Sequence, residues 1–282
     1  MATTVETLQF AARDGRPLMG SLYIPVRSNG RAVLLSGALG MPRARYDGYA
    51  RFLAEAGFTV LCFDYRGTGG SRAPGGRPER ATLRHWGEAD LPAALDCLVS
   101  RTPGARYFAV GHGEGGRLLG GAPNLARLEG IVTIAAGTGH WADARGAARL
   151  VLALLAHGVL PLAGRVVARV PWRLVGADGA EVPASIALDW ARGCRDAAAG
   201  IAAAGRAGFA AYRGPLLAYA IDDDPFSPRT AVAALHRRFT GARVELREIA
   251  PHAGQQPIGR DGYFRDDNRA LWPSALAWLA SA

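Results

Sequence analysis

FAVGHGEGG, residues 108–116, decides how the rest of the chain is read. An apolar run ends in a turn with glycine at 111, 113, 115 and 116. Glycine permits positive φ and close backbone approach, so the pattern fits a buried strand that turns at once into a helix, with Gly113 at the apex and Glu114 opening the helix. The run lacks the Lys-Ser ending of a phosphate loop and the downstream acidic residue of a dinucleotide fingerprint.

The same alternation continues outward on both sides. VETLQFAA and MGSLYIP flank the turn RDGRP and predict a hairpin at a sheet edge. RAVLLSG, FTVLCFDY, RYFAVGH, LEGIVTIAAG, GPLLAYAIDD and RVELREIA read as strands, and YDGYARFLAEAG, residues 88–100, PRTAVAALHRRF and LWPSALAWLA as helices. Strands that are continuously apolar and separated by helices predict a mostly parallel twisted sheet covered on both faces, with ligands at its carboxyl edge. Between 139 and 212 the alternation stops, and segments rich in Ala, Leu and Arg predict an inserted helical cap. The core is then 1–138 and 213–282.

Composition narrows the function classes. The formal charge is +9, yet all 33 basic residues are arginine, scattered without a long run, which reads as coding bias and a solvated surface rather than a nucleic-acid stripe. Cys62, Cys97 and Cys194 are odd in number and far apart, against a disulfide framework. No HExxH, paired His or Cys/His cluster predicts a metal, and no cofactor is expected. The N-terminus has no secretory pattern, so a cytoplasmic protein is expected. The longest apolar run, Leu150–Gly164, is interrupted by His157 and Pro161 and is expected to fall short of a membrane span; burial in a dimer interface is one alternative for it.

Taken together, FDYRGTGGS (63–71), GHGEGG, AIDDDPFSP and PIGRDGYF resemble, in order and spacing, the α/β-hydrolase superfamily, and within it a bacterial branch related to serine aminopeptidases and esterases. The resemblance covers nearly the whole chain. It implies an α/β-hydrolase fold with a Ser-His-Asp triad, in which the serine sits on the strained turn and the oxyanion hole uses backbone N–H groups. The serine position is Gly113, which has no side chain to attack a carbonyl. The oxyanion donors fall on Glu114 and on Ala38 and Leu39 of SGALG. The acid falls on Asp224, with Asp222 and Asp223 as alternatives. The histidine position is Arg260, and an arginine keeps its proton near neutral pH.

His252 follows the last strand, where many relatives carry their histidine, and is the candidate that would restore a base. His112, His140, Trp141 and His157 are candidate pocket residues, Trp172 and Trp190 candidate aromatic walls, and Arg173, Arg192 and Arg260 candidate partners for a ligand carboxylate. A single inactivating replacement at 113 would have left the histidine in place, so the second departure at Arg260 points to natural loss. The expectation is a non-hydrolytic enzyme of lyase, cyclase or isomerase type acting on a small apolar carbonyl compound, with Asp224, His252 or Glu114 moving the proton. Alternatives are an esterase lacking only its nucleophile, water activation by Glu114 or His252, and a ligand-binding protein without catalysis.

Overall fold

A computed structural model of the chain describes residues 3–73, 80–175, 180–203, 205–252 and 256–282. The strands are β1 (Thr4–Ala11), β2 (Pro17–Ile24), β3 (Arg31–Ser36), β4 (Thr59–Asp64), β5 (Arg106–His112), β6 (Gly130–Ile134), β7 (Arg169–Pro171), β8 (Glu181–Pro183), β9 (Pro215–Ile221) and β10 (Arg243–Ile249). Eight of them form one sheet in the order β1-β2-β4-β3-β5-β6-β9-β10. β1 and β2 make the expected hairpin at one edge and β2 runs antiparallel to β4, while every later neighbour is parallel.

The central strands are buried along nearly their whole length, with apolar residues in their middles, because both faces are covered. Val33 and Leu35 point into one layer with the helices Asp47–Glu55 and Trp272–Ser281, and Leu34 points into the other with the helix Leu91–Arg101. Each fully buried Leu, Val or Phe contributes about 1.5–3 kcal/mol by leaving water. The outer strands are more polar: β1 keeps Thr4, Thr7 and Gln9 exposed, and β10 keeps Arg243, Glu245 and Glu248 exposed, charges that blunt pairing with another chain. The helix expected from residue 88 begins regularly at Leu91, after a wide π-turn over Trp86–Asp90, with Pro92 in the first turn where no N–H is needed.

Between β6 and β9 the chain builds helices Gly146–Leu154, Leu160–Val166, Ala184–Arg195, Ala197–Ala203 and Ala207–Ala211 and the antiparallel ribbon of β7 with β8. Three residues per strand are too few for an alternation to be read, which is why the ribbon is absent from the sequence expectation. Residues 176–179 of its connection lie outside the described residues.

The expected interruption at His157 and Pro161 does not occur, since Gly146–Val166 is one helix of 21 residues. A π-turn at Leu155–Val159 immediately precedes the proline and opens the carbonyl row where its ring would collide with the preceding turn. Among the described residues this is the one helix long and apolar enough to cross a membrane. One side of it, however, carries Leu152, Leu155, Ala156 and Leu160 into the protein core.

Candidate functional site

β5 runs buried up to His112, and Gly113 turns the chain with φ 51° and ψ −114° into the helix Glu114–Leu119. Three of the surrounding glycines are required by packing. A Cβ on Gly111 would lie 2.5 Å from Gly116 Cα, one on Gly115 would lie 2.2 Å from Ser36 O, and one on Gly116 would lie 2.6 Å from Ala136 Cβ. Gly113 differs. Its backbone is in the left-handed region, but a Cβ there would meet only Ala38 Cβ at 3.4 Å and the Arg260 guanidinium at 3.6 Å (Nη2) and 3.7 Å (Nε). A Cβ has room at the apex, though strained by the positive φ, and it would stand beside Arg260.

The loop that carries Arg260 is fixed from three sides. The Gly259 N–H donates to Asp223 Oδ1 at 2.9 Å, and the Gly262 N–H donates to Ile258 O at 2.9 Å. His112, 1% exposed, lies 2.9 Å from Arg260 O through Nε2 and 2.9 Å from Tyr46 Oη through Nδ1. A carbonyl only accepts, so Nε2 carries the proton and Nδ1 accepts from the tyrosine. Tyr46 Oη in turn accepts the Ala38 N–H at 2.7 Å. Burial holds the His112 imidazole below its ordinary range, in keeping with a neutral ring. The Arg260 side chain itself lies over the Phe226 ring, 6.0 Å from its centroid, and no carboxylate among the described residues is within ion-pair distance.

Asp224 is fully buried at the end of β9. Its Oδ1 accepts the Phe226 N–H at 2.8 Å, while Oδ2 has no hydrogen-bond partner among the described residues. Burial pushes its carboxyl above the usual carboxylate range, and the nearby Arg260 charge opposes that push. Asp222 is exposed.

A cavity of about 380 Å³ opens beside Arg260. Its apolar wall includes Leu39, Trp172, Trp190, Phe226 and Ile258, and the two indoles meet edge to face at 5.1 Å. Trp172 reaches the wall by packing on Gly40, where a Cβ would lie 2.3 Å from its ring. The charged lining consists of Arg45, Arg260, Arg265 and a single carboxylate, Asp261, among the described residues.

Several residues singled out from sequence stand elsewhere. The Glu114 side chain, 3% exposed, is taken up by Arg117, whose Nε and Nη2 donate to it at 2.6–2.9 Å while Nη1 donates to Thr138 O at 2.9 Å. A carboxylate already holding a buried guanidinium is not available as a base, so the expectation that Glu114 moves a proton is corrected to its backbone alone. Of the three proposed oxyanion amides, Ala38 N–H is committed to Tyr46, whereas Leu39 and Glu114 N–H meet no acceptor among the described residues. His140, Trp141 and His157 gather into their own ring cluster at 6.0 and 6.1 Å with Arg149 over the Trp141 ring at 5.3 Å, and none of them lines the cavity. His252 is exposed and is likewise not in the lining. Tyr46 and Asp261 were not singled out, although Asp261 adjoins Arg260 in the motif. No group of three or more His, Cys, Asp or Glu side chains among the described residues is placed to hold a metal ion.

Comparison with known proteins agrees with this architecture. The model of the family described as serine aminopeptidase, S33, matches residues 28–250. The uncharacterized protein PA2218 of Pseudomonas aeruginosa is 32% identical over 132 residues, which is 44% of this chain and 34% of that protein, so the match spans about a third of the curated relative's length. Among solved structures, a lipase in an open form superposes with a TM-score of 0.68 at 19% identity, covering 99% of both chains. A soluble variant of monoglyceride lipase from Saccharomyces cerevisiae superposes with a TM-score of 0.69 at 14% identity, covering 100% of this chain and 96% of that one. At such identities the superpositions speak for the fold. The family match, which takes in most of the chain and both the strand and the helix that flank Gly113, establishes that this protein belongs to the serine aminopeptidase S33 family of α/β hydrolases.

Proposed function

We propose that this chain has left covalent hydrolysis and acts on a small, largely apolar carbonyl compound by a non-hydrolytic route of lyase, cyclase or isomerase type. The observation that carries this reading is the place of the Arg260 guanidinium, 3.6 Å from where a Cβ on Gly113 would stand. Hydrolysis through a serine needs a nucleophile at the apex and a base above it. The apex here is glycine, and the group above it is a cation that cannot accept the proton of a hydroxyl.

A fixed cation beside two backbone N–H groups suits an oxygen that gains negative charge. Arg260, with the amides of Leu39 and Glu114, would hold the carbonyl oxygen while a proton leaves the neighbouring carbon and the electron pair moves onto that oxygen. Asp261, the carboxylate of the lining, is the acceptor for that proton. Trp172, Trp190 and Phe226 would cover the apolar body, and Arg45 and Arg265 favour a substrate that also carries a carboxylate.

The family and its esterase and lipase neighbours favour a second reading, an esterase that lacks only its nucleophile. Gly113→Ser, Arg260→His and the double variant separate the two on short and medium p-nitrophenyl esters. We expect no hydrolysis by Gly113→Ser alone, because its hydroxyl would face a guanidinium. Turnover by that single variant would overturn the proposal. Turnover by the double variant alone would support loss of hydrolysis at both positions.

A further inference from the structure

The helix Gly146–Val166 has one buried side and one bare side. On the bare side Leu150 is 73% exposed, Leu154 65%, Leu162 65% and Val166 82%, at four-residue intervals or multiples of them. Val151 and Val167 extend the stripe, at 45% and 42%. Side chains of this size rarely stand in water as a contiguous group unless something covers them.

The stretch of chain that carries the stripe is cationic. From residue 144 to residue 177 the sequence contains no Asp or Glu, whereas Arg145, Arg149, Arg165 and Arg173 are exposed along it. Arg149 rests on the half-buried Trp141, so an aromatic ring and a guanidinium stand together beside the apolar row. A helix with an apolar face, arginines beside it and no acid is the pattern that lies in the interface of an anionic membrane, with each nearby cation worth about 1 kcal/mol.

Two other occupants fit less well. The helix does not span a bilayer as it stands, because Leu152, Leu155, Ala156 and Leu160 are held in the protein core. A second copy seated face to face about a two-fold axis would bring this acid-free arginine set against itself, in a chain whose formal charge is already +9.

We propose that the outer side of Gly146–Val166 is a docking surface for an anionic lipid bilayer, with Leu150, Leu154, Leu162 and Val166 entering the interface and the arginines meeting lipid phosphates. This does not depend on the reaction performed at the cleft. The test is co-sedimentation of the full chain with vesicles of phosphatidylcholine alone and with vesicles containing phosphatidylglycerol. The expected result is partition onto the phosphatidylglycerol vesicles that falls with added salt. Leu154→Ser with Leu162→Ser, both on exposed positions, is expected to lower it by about tenfold or more with an unchanged melting temperature. Arg149→Gln with Arg165→Gln is expected to weaken binding to the anionic vesicles only. Equal partition of the Leu154→Ser/Leu162→Ser variant and the unmodified chain, or no partition at all, would overturn the proposal. So would a dimer in sedimentation equilibrium that the leucine variant abolishes, which would assign the surface to a second copy.

Discussion

Two arginines bracket the turn at Gly113, and they are held in contrasting ways. Arg117, 1% exposed, donates to both oxygens of Glu114 and to Thr138 O, and its Nη1 reaches the close contact of Gly193 with Gly200, between two helices of the segment that joins β6 to β9. Its charge is balanced inside the protein. Arg260 is held through its backbone by His112, its side chain rests on a phenyl ring, and its guanidinium borders an open cavity. One arginine ties the turn to the helices between β6 and β9, and the other leaves its charge bordering the cavity.

The largest effect should come from breaking the balanced pair. Arg117→Met strands Glu114 in the core without a cation and is expected to cost about 3–5 kcal/mol, read as a large fall in melting temperature. Adding Glu114→Leu should restore most of that loss, since a buried pair replaced by apolar groups is often close to neutral. If Arg117→Met alone were mild, the contrast between the two arginines would fail.

A somewhat smaller effect, on the scaffold rather than the site, fixes the pH range in which the contrast can be measured. His236 is buried beneath the sheet, donating from Nδ1 to Val232 O and accepting at Nε2 from Thr133, and burial pushes its pKa down to about 4. The unfolded chain therefore binds this proton first. Stability should be complete above the ordinary histidine range near 6.5 and should decline as pH falls toward 4, by about 3 kcal/mol. Denaturant unfolding across that window checks it, and His236→Leu should flatten the slope. Ligand titrations above pH 7 then report the cleft alone.

The smallest effect on stability belongs to Arg260→Ala, expected within about 1 kcal/mol because no ion pair is broken and the buried Asp224 loses only a nearby charge beyond ion-pair distance. Binding should behave differently. Calorimetric titration with hexanoate is expected to lose affinity in Arg260→Ala, while hexanol is affected far less. Equal behaviour toward the two ligands would mean that the guanidinium is not the feature that selects them.

The contrast also marks what the sequence makes legible. Runs such as RAVLLSG and FTVLCFDY announce themselves because a parallel strand is apolar on both faces. The turn at Gly113 is readable for a similarly local reason, its positive φ, whereas Gly115 and Gly116 answer to Ser36 and Ala136, which only the fold brings close. The roles of Glu114 and of the rings at 140, 141 and 157 were not readable. Each depends on a partner brought in by tertiary packing: Arg117 folds back on Glu114, and Arg149 draws the rings into a cluster away from the cleft. Trp172 reaches the cavity wall because the three-residue ribbon and the bare Gly40 put it there. Tyr46 gave no signal at all, being one tyrosine of 8 in an ordinary helical stretch.

That tyrosine stands in a row whose polarity is settled at both ends. The row begins with a backbone amide at Ala38, which can only give a proton, and ends at the carbonyl of Arg260, which can only receive one. The hydroxyl and the imidazole between them could each face either way in another setting, yet here a single arrangement satisfies every link. The row is an arrow rather than a toggle. It carries no proton from one end to the other, and what it does transmit is position, tying the height of the guanidinium over Gly113 to the loop that follows β3.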